Sequence, residues 1–370
     1  MPFGERDINQ ELTRKPTSVD EYLSASRNNN PLLYPGERPK SSYLTDGETV
    51  FALDSTHDAD GNLIFSMETI DGYRSVDDFL IGRGAPLMAD RIPVLAFGAN
   101  VSPGSLASKF LKVGREDALI IPTVYAKLHG HDVVWSGGPG MNGNFVAILY
   151  EGEETKETDV QVAITFLTQE QLLVMNATEL SYTLSSVELD VDGQTVRAFY
   201  YVGQDSVYLK DGMPVAVESI PADGRNIESS NTTALLNDVL SSPSVMDAVI
   251  AEYPALESMT TEGYVAMVAR LKVEKKALSL KKAIQQAIAD NNMSKLVESA
   301  DAVKQAESWA NPSTLPTLGD QHNGIYHHGT YLLPSQELGV WGDPAKRQAV
   351  LSAITTHLVR VSSGNLKASE

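Results

Sequence analysis

Two stretches of the chain hold residue types that can do chemistry. In AFGANVSPGSLASKF an apolar run ends in Gly98-Ala99-Asn100, and a helix start follows. A glycine turn between a strand and a helix N-terminus gathers backbone N–H groups on one spot. Such a spot suits a carboxylate, a phosphate or a developing oxyanion, although tight strand-to-helix turns with glycine are also common structural features. The second stretch surrounds Glu179, which falls between Met175 and Tyr182 in a segment otherwise apolar or neutral. A carboxylate there is expected to be partly desolvated and shifted upward, toward general acid–base work near neutral pH. The alternative is a surface glutamate at an element boundary.

The elements that must position these groups are readable around them. IPVLAF (92–97) has the composition of a buried strand, and Ser102-Pro103 marks a helix start with serine as cap and proline in the first turn. Strands are expected at 118–128, 131–137, 144–152 and 159–167. Thr168 with Gln171 then makes a capping box for a short helix over 169–176. Asp192-Gly193 turns strand 181–191 into strand 194–203, and Asp211-Gly212 makes a further hairpin. Upstream, GETVFALD (47–54) and NLIFSMETI (62–70) form a hairpin across a loop with Asp58, Asp60 and Gly61, read as a turn rather than a calcium loop. Residues 1–45 read as an extended polar arm broken by Pro31, Pro35 and Pro39, and 46–90 as a β-hairpin extension. Residues 91–225 read as a mixed α+β domain with a curved or barrel-like sheet, and 226–370 as a mainly helical C-terminal region that ends in a helix from Pro344 to about Val361.

Composition narrows the function classes. The 370 residues hold 29 basic and 48 acidic side chains, a formal charge of −19, which disfavours nucleic acid and anionic membrane surfaces as partners. There is no cysteine, so disulfides, thiol nucleophiles and thiolate metal sites are excluded. No apolar run reaches the roughly 18 residues that span a bilayer, and MPFGERDINQ lacks a signal-peptide apolar core; a soluble cytoplasmic protein is expected. Lys272, Lys275, Lys276, Lys281 and Lys282 read as a solvated helix face or a contact for an acidic surface. Asp320, His322, His327 and His328 match no ligand spacing, and no metal is expected. Gly137-Gly138-Pro139-Gly140 lacks the Lys-Ser/Thr of a phosphate-binding loop and reads as a loop that could line a pocket, while His129 and His131 flank a structural turn at Gly130.

In type and order these residues resemble the γ-glutamylcyclotransferase-like superfamily over about residues 91–205. Its Tyr-Gly-Ser-Asn-type loop corresponds to Phe97-Gly98-Ala99-Asn100, and its catalytic glutamate to Glu179 in LLVMNATELSY. The resemblance implies an α+β fold with a barrel-like sheet. It implies a cofactor-independent enzyme that cleaves a γ-glutamyl amide or related small amide and releases 5-oxoproline, with Glu179 as acid/base. Phe97, Gly98, Ala99, Asn100, Tyr182, Tyr200 and Tyr201 would then bind substrate. Phe97 and Ala99 stand where the family carries hydroxyls, and residues 1–90 and 206–370 have no counterpart in its minimal members. The Phe97 and Ala99 changes favour one alternative, a non-catalytic binding or assembly protein on the same fold; an amide hydrolase, with water in place of the tethered amine, is a third reading. The C-terminal helices are the expected surface for any homo-oligomer.

Overall fold

The computed structural model describes residues 16–26, 30–59, 63–69, 72–111, 114, 118–140, 143–179, 182–203, 206–252, 260–273, 277–296, 308–309, 312–326 and 331–333. The expected terminal helix, Lys275, Lys276, His327, His328, Asp60 and Gly61 lie outside them, as do residues 1–15 of the expected arm.

The described N-terminal segment comprises β1 (Thr17–Ser18), α1 (Val19–Ser24) and a 3-10 turn, Pro31–Leu33. A meander follows: β2 (Tyr43–Asp46), β3 (Thr49–His57), β4 (Leu63–Thr69) and β5 (Gly72–Ser75), closed by α2 (Val76–Gly82). The central run is β6 (Ile92–Ala96), α3 (Pro103–Leu111), β7 (Ile120–His129), β8 (His131–Trp135), β9 (Ala147–Glu151), β10 (Asp159–Leu167), α4 (Gln169–Thr178), β11 (Tyr182–Val191) and β12 (Gln194–Gly203). After it come β13 (Ser206–Lys210) and four two-residue strands, β14 to β17, within 213–230. Helices α5 (Thr232–Ser241), α6 (Pro243–Glu252), α7 (Thr261–Val273) and α8 (Ala277–Asp290) complete the expected helical region. Three short strands follow: β18 (Ser294–Leu296), β19 (Ser308–Trp309) and β20 (Tyr331–Leu332).

This is a mixed α+β structure built on a large multi-strand sheet, in the order β19-β20-β11-β12-β6-β10-β7-β2-β3-β4-β5. The sheet is not a closed barrel: β11 also reaches β7, but through the single pair Asp190↔Lys127. Strand β6 lies between β10, antiparallel to it, and β12, parallel to it, and all five of its residues are buried. Alternation sends Ile92 and Val94 to one face, with Leu106, Phe110, Leu172 and Phe199, while Leu95 joins the opposite core with Trp135, Phe166 and the apolar sides of α5, α7 and α8. With cover on both faces, the strand reads as an unbroken apolar run. The Asp192-Gly193 and Asp211-Gly212 hairpins form as expected, all four residues holding positive φ.

The N-terminal segment corrects the expectation of an arm lying over a surface. Val19, Tyr22, Tyr34 and Tyr43 are buried, and α1 lies directly on α3. A Cβ at Gly104 would sit 2.2 Å from the Tyr22 carbonyl oxygen, so the crossing requires glycine on α3. The segment is polar in composition, but its few large apolar side chains are spaced to dock, and sparse anchors of that kind escape a compositional reading. Among the described residues no helix is long and apolar enough to cross a membrane.

Candidate functional site

The glycine turn and Glu179 come from opposite ends of two helices that lie side by side. Strand β6 delivers Phe97 and Gly98 to a 3-10 turn, Ala99–Val101, and α3 begins at Pro103. The expected serine cap is not made: Ser102 Oγ is buried without a partner among the described residues, while the Ser102 carbonyl accepts from Leu106 N at 3.1 Å. The capping box of α4 does form. Gln171 N donates to Thr168 Oγ1 at 3.2 Å and Thr168 N to Gln171 Oε1 at 2.9 Å. The Gln171 amide also donates to the carbonyls of Ala118 and Ile120, which ties the helix to the start of β7. Glu179 is the C-cap of that helix.

A carboxylate at a helix C-terminus faces the negative end of the helix dipole and needs compensation. Lys109, in the last turn of α3, places Nζ 2.5 Å from Glu179 Oε1, and Asn100 Nδ2 donates to the same oxygen at 3.2 Å. The Lys109 and Glu179 side chains are only 6% and 13% exposed. Glu179 is therefore desolvated as expected, but it is an ion-paired carboxylate rather than a lone one in apolar surroundings. The sequence reading missed Lys109. The signal was a lone lysine among Leu106, Ala107 and Phe110 on a helix whose buried face it shares.

Glu179, Phe97, Gly98, Ala99, Asn100, Tyr182 and Tyr201 line one cleft of about 60 Å³, with Tyr34 and Ala147. That space admits a few waters. Of the residues expected to bind substrate, only Tyr200 stands outside it. It lines a larger neighbouring cavity of about 640 Å³, which shares Phe97, Tyr182 and Tyr201 with the cleft and falls in the size range of small-molecule sites. His131, Tyr150, Glu151 and Glu154 form part of its wall. Tyr182 and Tyr201 pack edge to face with ring centres 6.4 Å apart. The Tyr201 hydroxyl donates to Asn176 Oδ1 at 2.8 Å, so this residue offers the cleft its ring. Burial, and then the charge of Glu179, hold that phenol well above its ordinary range, and it stays neutral at physiological pH.

Two side chains from the N-terminal segment complete the surroundings, and neither was anticipated. The Tyr34 hydroxyl accepts from Ala147 N at 2.7 Å and would lie 2.7 Å from a Cβ at position 98, so the turn must be glycine for Tyr34 to seat. Arg38 Nη2 donates to the carbonyl oxygens of Phe97 at 2.7 Å and Gly98 at 3.3 Å. Burial lowers the Arg38 guanidinium below its ordinary value, and the groups that act on its charge are the hydroxyls of Tyr125, Tyr34 and Tyr43.

The other motifs make local contacts. His129 Nδ1 lies 2.8 Å from Asp159 Oδ1 and the His131 ring 2.9 Å from the His129 carbonyl, around Gly130 at φ 75°. Gly137 and Gly138 lie against Ser206, Ser294 and Gln285. Among the described residues no three His, Asp or Glu side chains converge as metal ligands. Compared with protein-family models, curated protein sequences and solved structures, the chain matches none.

Proposed function

We propose that the chain is a cofactor-independent, γ-glutamylcyclotransferase-like enzyme that cleaves a γ-glutamyl amide or related small amide by cyclisation, with Glu179 as general acid/base. One observation carries the reading: a desolvated carboxylate and a glycine turn, 79 positions apart in the chain, meet through the Asn100–Glu179 hydrogen bond at the edge of one cleft. In the reaction the substrate α-amine, after giving a proton to Glu179, attacks the γ-carbonyl carbon. A ring C–N bond forms, the amide C–N bond breaks, and the departing nitrogen takes one proton from Glu179 and the second from the ring nitrogen, leaving as an ammonium beside the neutral lactam. Tethering the amine to the carbonyl supplies several kcal/mol of the barrier through effective molarity. The leaving amine would extend into the larger cavity, where Phe97, Tyr182 and Tyr200 offer rings. Support for a barrel-like core comes from the strand path β11-β12-β6-β10-β7, whose last member touches the first at Asp190↔Lys127.

Tyr34 favours a second reading, a binding protein without turnover, because its hydroxyl takes up the Ala147 amide inside the cleft and leaves little room there. A mass-spectrometric screen of γ-glutamyl amides, peptides and simple amides separates the readings. Release of 5-oxoproline by wild type, lost in Glu179→Gln, is the expected result. Free glutamate as the product indicates hydrolysis instead, and a folded wild type that turns over no panel member leaves the binding reading.

A further inference from the structure

Arg38 carries an enclosed guanidinium for which the described residues supply no anion. Its Nη2 spends its bonds on two main-chain carbonyls, and its Nε and Nη1, also buried, find no partner among the described residues. Among the described residues the groups acting on its charge are the hydroxyls of Tyr125, Tyr34 and Tyr43. Removing a guanidinium from water without an acidic partner is unfavourable to folding, so its retention calls for an explanation beyond packing.

The two carbonyls it holds supply one. They are those of Phe97 and Gly98, and among the described residues the one cis peptide is Tyr34-Pro35, so the Phe97–Gly98 and Gly98–Ala99 peptides are trans. In a planar trans peptide the N–H points opposite to the C=O. A guanidinium that fixes both oxygens on one side therefore turns the N–H groups of Gly98 and Ala99 to the other. Gly98, Ala99 and Asn100 line the cleft; Arg38 does not. The positive charge thus stands behind two aligned peptide dipoles whose positive ends face the space beside Glu179.

The geometry points to Arg38 as the positioning residue that makes the Gly98–Ala99 turn an anion site, one that takes the carboxylate of the substrate and orders its amide against Glu179. This rests on the reading of the cleft as an amide-cleaving site and extends it to the N-terminal segment, which the resemblance leaves without a role.

The test uses the full chain and two uncharged-versus-charged probes, 5-oxo-L-proline and its primary amide, with Kd measured by titration calorimetry and folding checked by thermal melting. Wild type is expected to bind the acid about tenfold or more tighter than the amide, the size of effect expected of charge-assisted hydrogen bonds. Arg38→Gln should abolish that preference, and Arg38→Lys should reduce it severalfold, since an ammonium does not reproduce the planar fork. Equal binding of acid and amide by wild type overturns the inference, as does an undiminished preference in either folded variant. If the glutamine variant does not fold, the wild-type preference and the lysine variant still decide. Turnover of γ-glutamyl amides without any acid preference sinks the anion site and leaves the cleavage reading intact. Acid preference without turnover does the reverse.

Discussion

Among the described residues two carboxylate–cation pairs are largely buried, and they differ in what surrounds them. Asp132, fully buried, takes Arg225 Nε at 2.7 Å and Nη2 at 2.8 Å, and its Oδ1 also accepts from Val133 N at 2.8 Å. The same guanidinium nitrogen donates to the Ile220 carbonyl at 2.9 Å. The fork matches the carboxylate in two parallel bonds, and none of the cavities described above touches the pair. Glu179 instead meets Lys109 and Asn100 through a single oxygen at the edge of a cleft. A saturated pair with no adjoining space fixes an element, here the segment 220–225 against β8. A pair that borders a cavity can exchange a proton with a molecule in that cavity. Burial alone therefore does not distinguish the two carboxylates; the space beside Glu179 does.

The contrast breaks most sharply in activity. Glu179→Gln keeps the shape and the contact to Asn100 but removes the exchangeable proton. Turnover of a γ-glutamyl amide should fall by about 10²–10⁴, measured below a melting temperature that the loss of the Lys109 counter-charge lowers. Full activity in that variant would end the acid/base assignment. Next in size is Arg225→Ala, which strands a fully buried carboxylate; chemical denaturation should show a loss of about 3–5 kcal/mol. Lys109→Met should lower stability less, by about 1–3 kcal/mol in the same assay, because water in the cleft can reach Glu179 in place of the ammonium. Equal losses at the two sites would remove the distinction between them. Smallest is Tyr34→Phe, which leaves the Ala147 N–H without its acceptor, at about 1 kcal/mol by denaturation. If the same variant lowers KM or opens turnover to larger amides, Tyr34 is a gate on the cleft.

Much of the fold was legible because its signals are local. The capping box at Thr168, the Asp-Gly turns and the apolar run of β6 depend on residues a few positions apart, and each formed as expected. Helix α2 was not anticipated, although Ser75 caps it through Asp78 N at 3.0 Å; four charged or polar residues over 74–78 masked its short apolar stripe. The cap at Ser102 failed for the opposite reason, since the local rule was satisfied but the hydroxyl is enclosed by the N-terminal segment, with Gly36 directly over it.

The same division runs through the site. Residue type and order singled out Glu179 and the Gly98 turn, because each is common by itself but the two in this order resemble one family's pattern. Only the tertiary structure supplied Lys109, Tyr34 and Arg38, which lie 70 positions from Glu179, 113 from Ala147 and 59 from Phe97. An ion pair or a clamp between such distant positions has no periodicity and no short-range motif. It exists because the end of β6 lies beside the start of β9, a strand of a separate four-stranded sheet, α3 lies against α4, and the N-terminal segment is held on α3 through Gly104. The sequence determined which groups were able to react; the packing decided which charges stand next to them.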